Sequence, residues 1–321
     1  MSSWKENIVF LPAEKVIIPQ NDPEKPYYNP SLVRYRGKLL MSIRSSTWTL
    51  GKGGMGMRII GGRLHTDILL AEVNEKNLTI SNIKKIPYAG DLHPYIAETG
   101  LEDVRLYVRD DKLYGIGVCM TQEGRNAKTV HMGRGEIKNG KFFFEEVIPK
   151  PNPDKVEKNW TIPTEPTDKF DYIYSPTQIV KDDEVIGEKD YRGLLHGGTQ
   201  AIPFEDGWLS FMHKVHKTHF SNMQGFRQYT SNAIKFNEDG FATHISQGFI
   251  LMGDNQVEFI SGLVLDDDGR FLVSVGVGDA YCVLARIDPS DLKFEEFNPN
   301  QEPIRAYMPE GVSAEFGNRV P

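Results

Sequence analysis

Short apolar runs separated by tight turns recur along the chain and predict β-hairpins. The four clearest are Ser31–Arg44, Asp103–Val118, Gln200–Phe211 and Gly262–Val275. In each, a few turn residues such as Arg36-Gly37 separate two apolar or aromatic runs. A single hairpin cannot bury its apolar face. Self-similar hairpins spaced by several tens of residues therefore predict the blades of a β-propeller, which binds its ligand at the central axis.

Polar residues open the first strand of each predicted blade and divide the chain into units. The openings lie near Asn29, Glu102, Lys158, His196 and Glu258. No long apolar period of 3.6 residues is present, so helix is a minor component. We therefore predict an all-β fold, a five-bladed β-propeller with a reduced third blade, as a single domain over residues 1–321. The N-terminal run Asn7–Leu11 would pair with the last blade and close the ring. Two packed β-sandwiches are the alternative fold.

Composition and charge restrict the partners of the chain. Its 321 residues are 39% hydrophobic and include 17 Phe, 13 Tyr and 4 Trp, enough for a large core. The formal net charge of -7 argues against non-specific nucleic-acid binding. Cys119 and Cys282 are too few for a disulfide framework or a zinc site and are expected to be buried thiols. Neither a signal peptide nor a membrane segment is evident, so we expect a cytoplasmic protein without a membrane partner. The sequence is compatible with a homo-oligomer.

If each blade begins with its axis-proximal strand, the opening polar residues converge at one end of the channel. These residues are Asn29, Glu102, Asp103, Arg105, Lys158, Asn159, His196 and Glu258. Their mixture of charges and amides suits a sugar or a phosphorylated sugar, because many hydroxyls need paired donors and acceptors. Along a strand, Asp103 and Arg105 share a face, which predicts an ion pair between them. An ion pair of this kind could equally well have a structural role and stabilise the axis-proximal strand.

Three further motifs have both a functional and a structural interpretation. The triplet Lys158-Asn159-Trp160 combines groups that hold phosphate and stack on sugars, but a Trp near a Pro-rich stretch also commonly caps a core. In His196-Gly197-Gly198-Thr199, the glycines let a ligand approach the backbone. The segment Gly51–Gly62 contains six glycines. Because it lacks the spacing of a nucleotide-binding P-loop, it is better interpreted as a hairpin loop that can act as a lid.

Histidines and carboxylates of the later hairpins add candidates. His213, His216 and His219 stand at every third position. This spacing suggests zinc, but no helical or alternating register would bring the three rings together, so we expect no metal site. Glu258 and Asp279 lie near the inner strand of the last unit, where either could act as a second acid or base. Turn chemistry explains Asp279 almost as well.

Taken together, several motifs resemble the successive blade signatures of the β-mannoside phosphorylase family and its relatives. They are NPSLVRYRGKLLMSIR, EDVR, EKNW, HGGTQAIPFEDGWLSFMH and EFISGLVLDDDGRFLVSVGVGDA, which occur in the family's order between about Asn29 and Ile287. The resemblance implies a five-bladed propeller and an inverting reaction. Inorganic phosphate attacks the anomeric carbon of a mannoside and mannose 1-phosphate is released, so phosphate is a co-substrate and no cofactor is needed.

The resemblance also implies residue roles. Asp103 matches the family's general acid, and Arg44, Lys158 and His213 match its phosphate-binding groups. The expected substrate contacts are Asn29, Arg105, Asn159, His196, Glu258 and Asp279. Val104 stands where the family has proline, which loosens the start of the strand. Related propellers hydrolyse glycosides or transfer mannose from a sugar nucleotide, and a non-catalytic sugar-binding propeller is a further alternative.

Overall fold

The computed structural model describes residues 6–20, 25–50, 57–59, 62–91, 93–120, 129–150, 154, 158–174, 178–188, 195–220, 223–252, 257–298 and 306–307. Within these ranges nearly all regular structure is β-strand, in agreement with the predicted all-β class. Five sheets of three or more strands are described, together with two two-stranded pairs. The described helices are one α-helix, α1 (Pro94–Thr99), and a single 3-10 turn, Pro289–Asp291. Neither is long and apolar enough to cross a membrane.

The first sheet follows three short N-terminal strands. These three strands are β1 (Glu6–Asn7), β2 (Val9–Phe10) and β3 (Glu14–Ile17). The next six are β4 (Tyr27–Tyr35), β5 (Lys38–Ser46), β6 (Trp48–Leu50), β7 (Met57–Ile59), β8 (Thr66–Asn74) and β9 (Thr79–Ile86). Strands β4, β5, β8 and β9 form the first sheet in that order, while β6 and β7 form a separate antiparallel pair.

The second and third sheets continue the chain order. The second contains β10 (Tyr88–Ala89), β11 (Glu102–Arg109), β12 (Lys112–Met120), β13 (Val130–Lys138) and β14 (Lys141–Ile148). The third contains β15 (Tyr172–Tyr174), β16 (Gln178–Lys181) and β17 (Glu184–Glu188). Among the described strands, this sheet has the fewest of the five.

The fourth and fifth sheets complete the fold. The fourth contains β18 (Leu195–His196), β19 (Ile202–Phe204), β20 (Gly207–Phe220), β21 (Met223–Asn237), β22 (Ala242–Ser246) and β23 (Phe249–Ile250), with β2 and β27 (Phe294–Glu296). The fifth contains β24 (Glu258–Leu265), β25 (Phe271–Val277), β26 (Tyr281–Ile287) and β3. A last strand, β28 (Ala306–Tyr307), pairs with β1.

All four predicted hairpins are confirmed. They are the antiparallel pairs β4–β5, β11–β12, β19–β20 and β24–β25. The turn residues Arg36 and Gly37 have φ of 49° and 74°, and Asp110 and Asp111 have φ of 50° and 56°. Positive φ at both central residues is what a tight two-residue hairpin turn requires, because its backbone twist then matches that of the strands.

The N-terminal segment pairs differently from the prediction for Asn7–Leu11. Within that run, β2 pairs in parallel with β23 of the fourth sheet. The outer strand of the fifth sheet is instead β3, which pairs antiparallel with β26. The N-terminal segment therefore contributes β2 to the fourth sheet and β3 to the fifth, while β1 pairs with β28. The strand that completes the last sheet starts seven residues later than predicted.

Neighbouring sheets are joined by buried hydrogen bonds. Gln200 lies fully buried between the first, second and fourth sheets. Its Nε2 donates to Ser31 Oγ at 2.7 Å and to the carbonyls of Leu32 and Leu106 at 2.9 and 2.5 Å. In the fifth sheet, Ser274 Oγ donates to the Pro30 carbonyl of the first. These bonds fix the relative positions of the strand ends from which the candidate site residues project.

Candidate active site

Four candidate residues adopt a backbone conformation that side chains other than glycine rarely take. Asn29, Asp103, Asn159 and Asp279 have φ of 46°, 53°, 63° and 50°. In β4 and β11 this coincides with a β-bulge, one between Tyr28 and Ser31 and one between Glu102 and Arg105. A bulge re-aims the side chains next to it, and strained backbone of this kind clusters at functional sites.

Asp103 is the centre of this group and its two carboxylate oxygens have different surroundings. Oδ1 accepts hydrogen bonds from Asn29 Nδ2 and Arg44 Nη1, both at 2.8 Å. Oδ2 lies 3.7 Å from the Nζ of Lys158. The Asp103 side chain is 1% exposed, whereas that of Lys158 is 35% exposed. One oxygen is therefore fixed by buried donors, and the other faces the cation that reaches toward solvent.

The predicted ion pair between Asp103 and Arg105 is wrong. Arg105 donates to the backbone carbonyl of Asp103, to the Gly198 carbonyl at 2.9 Å and to Asn159 Oδ1 at 3.3 Å. Its guanidinium lies 5.0 Å from the centre of the Phe259 ring. The bulge breaks the strand alternation on which the prediction rested. Burial lowers the pKa of Arg105 to about 10, so it stays charged at neutral pH and ties the second and fourth sheets together.

Arg44 is enclosed by carboxylates and aromatic rings. Besides Asp103, its guanidinium contacts Glu102 Oε1 at 2.5 Å. The rings of Tyr28 and Trp48 each lie 4.9 Å from the guanidinium carbon. Burial opposes the charge, but Glu102 and the other acidic neighbours outweigh it and raise the pKa of Arg44. The positive charge of Arg44 is thus already engaged by two buried carboxylates. Its hydrogen bond to Oδ1 keeps the Asp103 side chain in one orientation.

Asp103 and Asp279 are driven toward opposite protonation states. Burial of Asp103 opposes ionisation, but Arg44, Lys158 and Arg105 outweigh it and hold the pKa of this carboxyl well below its usual range. Burial raises the pKa of Asp279 to about 6, against the charges of Arg44 and Lys158. Two carboxyls whose environments separate their pKa values are typical of acid and base pairs.

The histidines of the site are neutral at physiological pH. His213 is 5% exposed and packs against Phe259 and Tyr229, with ring centres 4.9 and 4.8 Å away. Burial first, and then His196, Lys158 and Arg105, hold its pKa well below the usual value. Burial and Lys158 also lower the pKa of His196. His213, which the resemblance matched to a phosphate-binding group, is therefore a neutral hydrogen-bonding side chain.

Two motifs of the site have structural partners that the sequence did not indicate. Both carboxylate oxygens of Glu258 accept backbone N–H groups, from Leu251 at 2.6 Å and from Met252 at 2.9 Å. These contacts favour a structural role over contact with a substrate. A Cβ at Gly197 would lie 1.7 Å from the Asn159 carbonyl oxygen. The space expected for a ligand beside this glycine is therefore occupied by protein backbone.

The remaining motifs lie outside the cluster around Asp103 or outside the described residues. Trp160 is 1% exposed and stacks on Tyr172 at 4.3 Å between ring centres, so it belongs to the core. The described part of Gly51–Gly62 includes β7, which forms a hairpin with β6 as predicted, while residues 51–56 lie outside the description. The side chains of His216 and His219 lie outside it as well.

Comparison with solved structures identifies proteins of the same architecture. A β-1,2-mannobiose phosphorylase from Listeria innocua, in complex with β-1,2-mannobiose, aligns with a TM-score of 0.60 at 13% identity over 85% of this chain and 93% of its own. A glycosyl hydrolase from Bacteroides ovatus gives 0.60 at 14% identity, over 89% and 97% of the two chains. A GDP-Man-dependent mannosyltransferase from Leishmania mexicana gives 0.57 at 13% identity, over 86% and 90%.

The chain shares its fold with mannoside phosphorylases and their relatives. This confirms the fold relationship that the blade motifs indicated. No family model matches the chain, and no curated protein matches it in sequence. Because the same fold is found in a phosphorylase, a hydrolase and a transferase, the reaction has to be argued from the site.

The structure brings several of the predicted residues together around Asp103. Asn29, Arg44, Lys158 and Asp279 surround Asp103 through contacts or charge. Sequence reasoning missed the partnership of Glu102 with Arg44 and the flanking rings of Tyr28 and Trp48. The alternating glycines Gly115 and Gly117 were an available signal for the bulge in β11. A Cβ at either would lie within 3.0 Å of the Val104 side chain, which replaces the family's proline.

Proposed function

We propose that this chain is an inverting glycoside phosphorylase that acts on β-mannosides, with Asp103 as general acid and phosphate as nucleophile. We also infer that the five sheets are the five blades of a closed propeller. The observation that carries the proposal is the asymmetry of Asp103. Its Oδ1 is held by Asn29 and Arg44 at 2.8 Å, and its Oδ2 faces the partly exposed Lys158. The fixed orientation of Asp103 suits a general acid, and the partly exposed ammonium of Lys158 beside it suits a binding site for an anion such as phosphate.

The reaction needs one carboxylic acid and one anionic nucleophile. A phosphate oxygen forms a bond to the anomeric carbon as the bond from that carbon to the leaving-group oxygen breaks, and the leaving oxygen takes the proton of Asp103. Mannose 1-phosphate and a shortened sugar or free alcohol result. Phosphate itself replaces the water and the base that an inverting hydrolase would require.

Phosphate binding also accounts for how Asp103 acquires its proton. In the free site, Arg44, Lys158 and Arg105 favour the carboxylate. A phosphate at Lys158 engages that charge and adds negative charge beside Asp103 and Asp279, which raises the pKa of both carboxyls. The proton then belongs on Asp103 Oδ2, because Oδ1 already accepts two hydrogen bonds.

We assign the remaining residues either to phosphate binding or to contacts with the mannoside. Lys158 carries the charge that binds phosphate, and neutral His213 contributes hydrogen bonding. Arg44 acts mainly by holding Asp103. Hydroxyls of the mannoside would be contacted by Asn159, His196 and Asp279, at the rim of the cluster. The proposed sugar follows the β-1,2-mannobiose bound to the Listeria innocua phosphorylase of the same fold.

An inverting hydrolase is the second candidate, and the separated pKa values of Asp103 and Asp279 favour it. In that reaction Asp279, with a pKa of about 6, would protonate the leaving group. Asp103, held as a carboxylate, would accept a proton from the attacking water.

Phosphorus NMR of reactions with β-1,2-mannobiose distinguishes these functions. We expect mannose 1-phosphate only when inorganic phosphate is present, and the reverse synthesis from mannose 1-phosphate with a mannose acceptor. Mannose release without phosphate would establish the hydrolase. Inactivity in both reactions, with transfer from GDP-mannose to the same acceptor, would establish the transferase.

A further inference from the structure

A cavity of about 260 Å³ lies between the second and third sheets. Its apolar floor includes Ile116, Ile148 and Ile162, all of them buried. Its rim carries charged residues from both sheets. No role in the proposed reaction uses this space.

The cavity shares one face of the second sheet with the candidate active site but is separate from it. Cross-strand pairing places Arg105, Ile116 and Arg134 in a row, and directly paired residues lie on the same face. Tyr107, which lines the cavity, follows Arg105 by two residues and so projects from that face as well. It lies four residues beyond Asp103, a distance along the strand of about 13 Å at ~3.3 Å per residue.

The wall of the cavity combines an aromatic ring with hydrogen-bond donors and hydrogen-bond acceptors. Tyr107 stacks on Tyr114, with ring centres 5.4 Å apart and an angle of 22° between the ring planes. Arg134 pairs with Glu146 on the rim. The Arg134 Nε is buried, whereas the side chain as a whole is 36% exposed, so the outer end of the guanidinium is the part that can donate to a bound molecule.

A second ion pair and three carboxylates complete the rim. The Nη2 atom of Arg109 lies 3.6 Å from Oδ1 of Asp171, which directly precedes β15 of the third sheet. Glu165, Asp182 and Asp183 give the lining an excess of carboxylates over guanidinium groups, which disfavours an anionic ligand. The two arginines also disfavour a small cation. Paired donors and acceptors above an apolar floor suit a neutral molecule that has many hydroxyls and an apolar face.

We propose that this cavity is a second, non-catalytic binding site for a neutral saccharide. One sugar ring lies with its C–H face on the floor and beside Tyr107, and its hydroxyls bond to the Arg134–Glu146 and Arg109–Asp171 pairs. The volume is slightly below the range of about 300–1,000 Å³ typical of sites for drug-sized ligands, which fits a single ring. The proposal goes beyond the reaction of the first site and does not depend on it.

Hydrogen–deuterium exchange measured by mass spectrometry tests the proposal on the full chain, with D-mannose as the neutral probe and sulfate as the anionic one. We expect mannose to slow exchange in peptides that cover 105–109, 131–148 and 162–172, and sulfate to leave these peptides unchanged. Arg134→Gln should abolish this protection. Arg36→Gln, in an exposed ion pair with Asp111, is the matched control and should retain it.

The outcomes separate this site from the proposed active site. Protection of the cavity peptides without protection of residues 27–46 and 99–104 supports the second site even if the proposed function fails. Protection confined to 27–46 and 99–104, or cavity protection that survives in both Arg134→Gln and Tyr107→Ala, overturns the proposal. Unchanged circular dichroism of the variants excludes unfolding as the cause of a lost signal.

Discussion

The Nη1 atom of Arg44 lies 2.8 Å from Oδ1 of Asp103, and both side chains are at most 2% exposed. The same guanidinium binds Glu102. One buried arginine therefore holds the proposed acid and contacts two carboxylates at the start of β11. Breaking a buried pair costs more than an exposed one, because an uncompensated charge remains in the interior.

Arg44→Met should destabilise the fold. Glu102 and Asp103 would lose their buried cation, so we expect the free energy of unfolding in urea at pH 7 to fall by about 3–5 kcal/mol. Arg36→Met, which removes an exposed arginine from its pair with Asp111, should leave it nearly unchanged. An equal effect of the two substitutions would contradict the role of Arg44. The added substitution Glu102→Gln should recover part of the loss.

Asp279→Asn should stabilise the protein in alkaline solution. A carboxyl whose folded pKa is raised, here to about 6, favours folding below its unfolded pKa of about 4 and loses that contribution as the pH rises through 6. Removing the charge should therefore raise the free energy of unfolding at pH 8 by up to about 3 kcal/mol, with no gain near pH 4. Urea titrations across this range measure the difference. A gain independent of pH would exclude Asp279 as its cause.

The ionised Asp103 should stabilise the fold at neutral pH and lose this contribution in acid, which is the opposite pH dependence to that of Asp279. The folded pKa of Asp103 is lowered, so its stabilising contribution is present above its unfolded pKa of about 4 and is lost as the pH falls toward the folded value. The stability difference between wild type and Asp103→Asn should thus narrow below pH 4. A difference that stays constant between pH 7 and pH 2 would show that the carboxylate is not held by the surrounding cations.

Lys158→Met should weaken phosphate binding more than it weakens turnover. Loss of a charged hydrogen-bond donor costs about 1.5–3 kcal/mol, so the KM for phosphate should rise roughly tenfold to a hundredfold. Lys112→Met, at an exposed position of the hairpin that begins with Asp103, is the matched control. Steady-state rates at varied phosphate and saturating mannobiose give both constants. An unchanged KM for phosphate would remove Lys158 from the anion site.

Local sequence pattern predicted the scaffold because hairpins depend on neighbouring residues. The turn at Arg36-Gly37 and the apolar runs around it specify β4 and β5 without reference to the rest of the chain. The partner of Asp103 could not be predicted in this way. A bulge between Glu102 and Arg105 breaks the two-residue alternation, and the cation that pairs with Asp103 comes from the first sheet.

The roles of residues whose charge or contacts depend on burial also could not be predicted from the sequence. His213 matches a phosphate-binding position of the family, but its charge depends on the rings and cations that surround it in three dimensions. Glu258 resembles a site carboxylate in sequence, whereas its two oxygens bind the backbone of residues 251–252. A residue type and its position in a motif do not specify either environment.

The most direct test compares mannose 1-phosphate formation from β-1,2-mannobiose by wild type, Asp103→Asn and the control Asp111→Asn. Asp111 lies in the exposed turn of the same hairpin. Since general acid catalysis typically contributes about 10²–10⁴-fold, we expect Asp103→Asn to lower turnover by at least about two orders of magnitude while Asp111→Asn retains it. Product formation should require phosphate throughout. A wild-type rate in Asp103→Asn, or mannose release without phosphate, would contradict the assignment.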